Sequence, residues 1–305
     1  MSFRDIFIQQ LFNGLLLGSF YGLVALGYSM VYGIIKLLNF AHADIYMVGG
    51  YISLAILGVI GGTFLGNAWL GIVVTMLITM ILVGFLGVFI QRIAYRPMLK
   101  APRLSILITA LGVSMILYNA VMILTGGEYK AYRTGLGYTG FNMGSVYVTH
   151  TQAILILASI TLMLILHLFI TRTMYGKAMR AIALDHDTCK LMGINVNQMI
   201  AVTFFVGSSL AAAAGMMAGV YYGSLHFFMG FVIGIKAFTA AVIGGIGIIP
   251  GAMLGGLLLG LLESFGTQLS FIGSAWKDVF SFSILILILI FKPTGLLGKK
   301  QSERM

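Results

Sequence analysis

The chain has 305 residues, of which 60% are hydrophobic and only 9% charged, whereas an ordinary soluble domain carries about 25% charged residues. A soluble globular protein is excluded. The apolar residues suffice for roughly seven to nine helical spans at about 20 residues per ~30 Å crossing, and the remainder is too short for a folded extramembrane domain of about 100 residues. Residues 1–305 read as one transmembrane domain, the membrane part of something larger.

The net charge of +10 is not a nucleic-acid footprint, because the basic residues are placed by topology. They gather in three segments: Arg92, Arg96, Lys100 and Arg103; Arg172, Lys177, Arg180 and Lys190; and Lys292, Lys299, Lys300 and Arg304. The positive-inside rule makes all three cytoplasmic. The single cysteine, Cys189, allows no internal disulfide. The N-terminal MSFRDIFIQQLFNG has no small-residue cleavage site behind a short apolar run and reads as a span, not a removable signal.

In chain order, apolar stretches predict spans near 8–33, 38–62, 67–91, 104–125, 150–171, 197–222, 231–249, 250–269 and 276–291. The expected fold is an all-α polytopic membrane protein of about eight transmembrane helices, with one or two broken or re-entrant segments and a cytoplasmic coupling helix. Span parity puts the N-terminus and the loop of about 126–149 outside, and the loop of about 172–196 inside.

Glycines recur every four residues inside these runs: Gly14, Gly18 and Gly22; Gly207, Gly215 and Gly219 with Ala211; Gly247, Gly251 and Gly255; and Gly256 with Gly260. Such rows let helix backbones approach closely in lipid, where van der Waals packing replaces the hydrophobic effect as the adhesive.

Ionisable groups within spans are the sharper signal, each costing roughly 2.5–3.5 kcal/mol at the bilayer centre. Lys36, Asn39, His42 and Asp44 cluster in GIIKLLNFAHADIYMVGGY. Two readings are open. Either a discontinuous helix aims these groups at a passage, or Lys36 snorkels to an interface and Asp44 caps the next helix. Lys236 and Glu263 lie in later spans. Glu263 shares a helix face with Gly256, Gly260 and Thr267, so it faces protein, and its expected partner is Lys236 or Lys277. Asn39, His42, Asp44, Lys236 and Glu263 are the candidate passage residues. No phosphate loop, metal-ligand spacing or nucleophile elbow occurs, so no catalytic residue, metal or cofactor is assigned to the chain.

The inside loop TRTMYGKAMRAIALDHDTCKLMGINVNQM is the most distinctive polar segment. Tyr175–Met192 predicts one short helix with Gly193 as its C-terminal cap. It mixes Met179, Ile182, Ala183, Cys189 and Leu191 with Lys177, Arg180, Asp185, Asp187 and Lys190. That surface suits docking into a groove on a soluble partner.

Three stretches, KLLNFAHADIYMVGGY (36–51), GKAMRAIALDHDTCKLMGINV (176–196) and KAFTAAVIGGIGIIPGAMLGGLLLGLLES (236–264), together with the closing KPTGLLG, make the chain resemble the LivH-type permease subunits of bacterial branched-chain amino acid ABC importers. Ala43 stands where that family commonly has Gly, and the inside loop lacks the Glu-Ala-Ala start of other coupling loops. The resemblance implies an inner-membrane permease moving Leu, Ile or Val. Its partners would be two cytoplasmic ATPase subunits that bind the ATP, a second homologous permease and a periplasmic amino-acid-binding protein. Arg180, Ala181, Asp185 and Gly193 are the contact candidates it carries over to the ATPase. Competing expectations are an ion-coupled secondary transporter or channel using Asp44 or Glu263, and a sister ABC permease for urea or short amides.

Overall fold

The computed structural model describes residues 3–36, 38–60, 67–98, 101–136, 139–143, 146–268 and 276–298. Helix α1 spans Phe3–Ile35, about 50 Å at 1.5 Å per residue, and is long enough to cross the bilayer and protrude. Its last turn closes at Lys36, whose φ of 58° turns the chain back on itself. Helix α2 (His42–Ile60) then starts inside the bundle. The His42 ring lies against Gly27 of α1, eight residues before α1 ends, or about 12 Å deeper along the axis. Residues 38–41 therefore belong to a re-entrant connection, and Asn39 among them is almost fully buried.

Helix α3 (Ala68–Ile90) runs through a wide π turn, Gln91–Tyr95, into the one-turn α4 (Arg96–Met98). Helix α5 (Arg103–Thr125) returns to the face opposite Arg96. There strand β1 (Lys130–Ala131) pairs antiparallel with β4 (Ser224–Leu225), and β2 (Gly140–Met143) with β3 (Val146–Thr149). Helix α6 (His150–Arg172) opens with a capping box in which Thr149 Oγ1 accepts from Gln152 N–H and Gln152 Oε1 accepts from Thr149 N–H, both at 3.2 Å.

The basic loop forms two helices where the sequence predicts one: α7 (Met174–Leu184) and α8 (His186–Leu191). Asp185 is the cause. It adopts an extended conformation, and its side chain accepts from the N–H groups of Asp187 and Thr188. A residue that competes with the helix in this way is a better N-cap than a helix interior. Gly193, at φ 80°, ends α8. Its N–H bonds Lys190 O and that of Ile194 bonds Cys189 O, the double closure of a Schellman motif.

Helix α9 (Val196–Tyr222) shares the buried centre of the bundle with α1. Helices α10 (Met229–Gly244) and α11 (Ile249–Gly266) form a hairpin turning at Gly245, where φ is 107°. The predicted span 231–249 thus ends early, at Gly244, in a turn that the apolar run Ile246–Gly247–Ile248–Ile249 disguises, whereas α11 follows the predicted span 250–269 as far as Gly266. Helix α12 (Lys277–Phe291) closes the chain, and Leu296 and Leu297 donate backbone bonds to Ile243 O and Gly244 O.

Among the described residues, seven helices are long and apolar enough to cross a membrane. With the shorter α10 and α12 they alternate in direction, so Arg92 and Arg96, Arg172 to Lys190, and Lys292 share one face and strands β1, β2 and β3 lie at the other. The tightest pairing is antiparallel, α1 on α11. A Cβ at Gly260 would fall 2.1 Å from Gly18 N, and one at Gly256 2.3 Å from Gly22 Cα. Elsewhere Gly207 faces Gly27, Gly215 lies on Tyr46 O, and Gly219 lies under the Tyr132 ring.

Candidate passage and coupling sites

The re-entrant connection and the first turn of α2 gather three of the polar residues singled out in the sequence. Asn39 Oδ1 accepts from the Tyr95 hydroxyl, which the π turn carries inward. A π turn adds a residue to the helical circuit and rotates the positions after it, and this rotation sends Tyr95 into the bundle. His42 meets the Tyr28 ring edge to face at 5.1 Å, and its Nε2 has no hydrogen-bond partner. Asn39 Nδ2 is likewise unpartnered. Asp44 does not cap α2 with its side chain: Oδ2 accepts from Ser114 Oγ of α5 at 2.5 Å, and Gly230 of α10 packs against Oδ1. A helix start inside the bundle brings backbone N–H groups free of intrahelical partners and a positive dipole end to that depth.

Lys236 and Glu263 form a second, separate group between α1, α10, α11 and α12. Their ion pair is 2.8 Å long, and each side chain is 3% exposed or less. Tyr21 donates to Glu263 Oε2 at 3.0 Å, and Ser281 lies 3.4 Å from the same oxygen. Lys236 also pairs with Asp278 of α12 at 2.7 Å. Lys277, the other partner considered for Glu263, is exposed. Two carboxylates sharing one ammonium and two hydroxyls satisfy the charge that burial would otherwise penalise.

On the basic face, Arg180 is turned toward the membrane helices, where it donates to Ile170 O at the end of α6. Ala181 is half-buried, whereas Asp185 and Gly193 are exposed. Hydrogen bonds from the Thr188 hydroxyl, then from the Thr188 and Asp187 N–H groups, hold the Asp185 carboxyl below the usual carboxylate range. His186 Nε2 lies 2.7 Å from Ile34 O, which ties α8 to the C-terminal end of α1. The apolar residues of this loop divide in two. Met179, Ile182 and Cys189 face the chain's own bundle and are buried, so they are not the docking face that their helical spacing suggested. Leu184, Leu191 and Met192 face outward, and Leu184 is 90% exposed.

Sequence reasoning missed Tyr95, Ser114, Tyr28, Tyr21, Asp278 and Ser281. Asp278 alone carried a signal, as an acid in the first turn of an apolar span. The others are ordinary polar members of apolar helices, and only the tertiary fold gives them partners.

Alternating helical passes, a re-entrant helix start and charges paired at depth define a multi-pass α-helical membrane protein. The chain belongs to the branched-chain amino acid transport system permease component family, whose sequence model matches residues 10–289. It is 44% identical to the high-affinity branched-chain amino acid transport system permease protein BraD of Pseudomonas aeruginosa, with 98% of each chain covered. It is 41% identical, at the same coverage, to the LivH permease proteins of Salmonella typhimurium and Escherichia coli.

Proposed function

We propose that this chain is the transmembrane permease subunit of an ATP-binding-cassette importer in the bacterial inner membrane. It moves leucine, isoleucine and valine, and ATP hydrolysis on partner subunits drives it. The partners are two cytoplasmic ATPases, a second homologous permease and a periplasmic amino-acid-binding protein. Full-length similarity to permeases of branched-chain amino acid transport systems carries this reading. The outward leucines of α7 and α8 support the docking of a soluble motor. Exposed apolar side chains on an otherwise basic, polar loop fit a groove on a partner better than water.

In this mechanism α7 and α8 are the lever. Leu184, Leu191 and Met192 contact the ATPase. Arg180 to Ile170 O and His186 to Ile34 O carry the displacement into α6 and α1. Two states of the ATPases would then bias two states of the bundle. Asn39, His42 and Asp44 are proposed to line the passage at the start of α2, whereas Lys236 and Glu263 hold α12 to the bundle. The test is uptake of labelled leucine by cells carrying the chain with its partners, against proteoliposomes holding this chain alone under a proton or sodium gradient. Uptake only in the first supports the reading, and leucine accumulation by the chain alone refutes it.

A further inference from the structure

The outer face holds a cavity of about 530 Å³ between the external loop, the first turn of α6 and the last turn of α9. That volume falls in the range of small-molecule sites, roughly 300–1,000 Å³. It has a charged rim that none of the interactions described so far uses. The loop is fastened at Tyr132, whose ring covers Gly219, whose hydroxyl meets Ser53 Oγ at 2.9 Å, and whose N–H bonds Gly223 O. Successive residues of an extended chain point to opposite sides. With Tyr132 buried, Arg133 is held outward at the cavity, exposed and without a hydrogen-bond or ion-pair partner among the described residues.

The two helix ends complete an electrostatic pattern. Thr151 and Gln152 bring the positive N-terminal end of α6 to one wall. Val220, Tyr221 and Tyr222 bring the C-terminal end of α9 to the other. The last intrahelical bond of α9 ends on Gly219 O, accepted from Gly223 N–H, so the carbonyls of these three residues lie beyond it and carry the negative end of the dipole. Arg133 follows Tyr132, whose N–H bonds Gly223 O, so its guanidinium is anchored beside the C-terminal end of α9, and a cation next to helix-end carbonyls is complementary to a small zwitterion whose carboxylate and ammonium stand on one carbon.

We infer that this outer cavity is a reception site for a free α-amino acid. Arg133 takes the α-carboxylate, the end of α9 takes the α-ammonium, and Val220 and Leu136 lie against the aliphatic side chain. The inference rests on the proposed transport of branched-chain amino acids and adds where the substrate is first held by this chain. Arg is suited to the carboxylate because its planar fork can make two parallel charge-assisted bonds.

The test is saturation-transfer NMR on the full chain in lipid nanodiscs with L-leucine as probe, beside leucinol, which lacks the carboxylate, and 4-methylpentanoate, which lacks the ammonium. The expected result is a signal for L-leucine that both analogues largely lose. Arg133→Ala should weaken it by roughly ten- to a hundredfold, the range of a lost charge-assisted contact, and Arg133→Lys should restore part of it. Lys130→Ala, which removes an equal charge from the same loop, should leave it in place. No signal with the wild-type chain, an unchanged signal in Arg133→Ala, or equal losses in Arg133→Ala and Lys130→Ala would overturn the site. If Arg133→Ala instead abolishes capture of the binding protein with leucine binding intact, the face is a protein dock and the inference fails. Failure of the transport reading is distinguishable, because wild-type cells would then take up no leucine whatever stands at position 133.

Discussion

Lys236 is the residue whose removal should be felt most. Its ammonium pairs with the buried Glu263 and with the half-exposed Asp278, and breaking a buried pair by deleting one partner costs about 3–5 kcal/mol. Lys236→Ala should therefore lower the thermal unfolding midpoint in nanodiscs sharply, with α12 the first element to exchange its amides. Lys236→Met with Glu263→Leu and Asp278→Asn should recover most of the loss, since apolar replacement of a whole buried pair is near neutral. Equal midpoints for wild type and Lys236→Ala would show that the pair is not sequestered. Asp44→Asn is expected to keep folding and assembly but to lower leucine uptake, measured at matched membrane yield; unimpaired uptake would remove Asp44 from the passage. Lys236 and Glu263 were legible in the sequence because isolated charges in apolar runs are expensive and must find each other. Ser114 was not, because a serine hydroxyl in a membrane helix has a local alternative in its own backbone, and Tyr95 was not, because the π turn that directs its ring inward leaves no mark in the sequence.

At the scale of elements, the α7–α8 pair shows what periodicity hides. Helix formers fill Tyr175–Met192, yet Asp185 divides them, because its side chain satisfies the first N–H groups of α8 better than a continued helix would use its backbone. Its carboxyl is held below the ordinary range by those bonds. The cap's contribution is thus present above about 3.9, the ordinary Asp value, and is lost as pH falls through the lower folded value. Amide exchange at Asp187 and Thr188 should quicken over that acid range, and should be fast at every pH in Asp185→Ala. Leu184→Asp with Leu191→Asp is expected to lower ATPase co-purification severalfold while membrane insertion stays normal; capture at wild-type yield would show that the motor docks elsewhere. Glycine rows were visible in the sequence, but their partners were not. Spacing defines a face, and only the fold shows that the rows of α1 meet those of α11.

For the whole molecule, the placement of basic segments on one face made topology the most readable property of the sequence. With Cys189 changed to Ser, a cysteine introduced at Glu128 should react with a membrane-impermeant maleimide applied from outside, and one at Asp187 only after permeabilisation. Reversed labelling would invert the bundle and place the proposed lever away from any cytoplasmic motor. Depth was the property the sequence concealed. The broken segment around Asn39 was legible from its polar residues, but the descent of the chain to the level of Gly27 depends on the Lys36 turn and on the space that glycine leaves for His42.

The pairing of α1 with α11 also sets a timetable for biogenesis. Helix α1 has its closest seat on α11, which is made far later in the chain, and domains ordinarily assemble from the N-terminus as synthesis proceeds. A nascent chain thus keeps the Gly14 and Gly18 end of α1 bare to lipid or to an insertase until α11 has been polymerised, although Gly27 already meets α2 and α9. Ribosome arrest after α9 should leave a membrane-inserted but protease-sensitive product, and completion through Gly266 should confer resistance in one step.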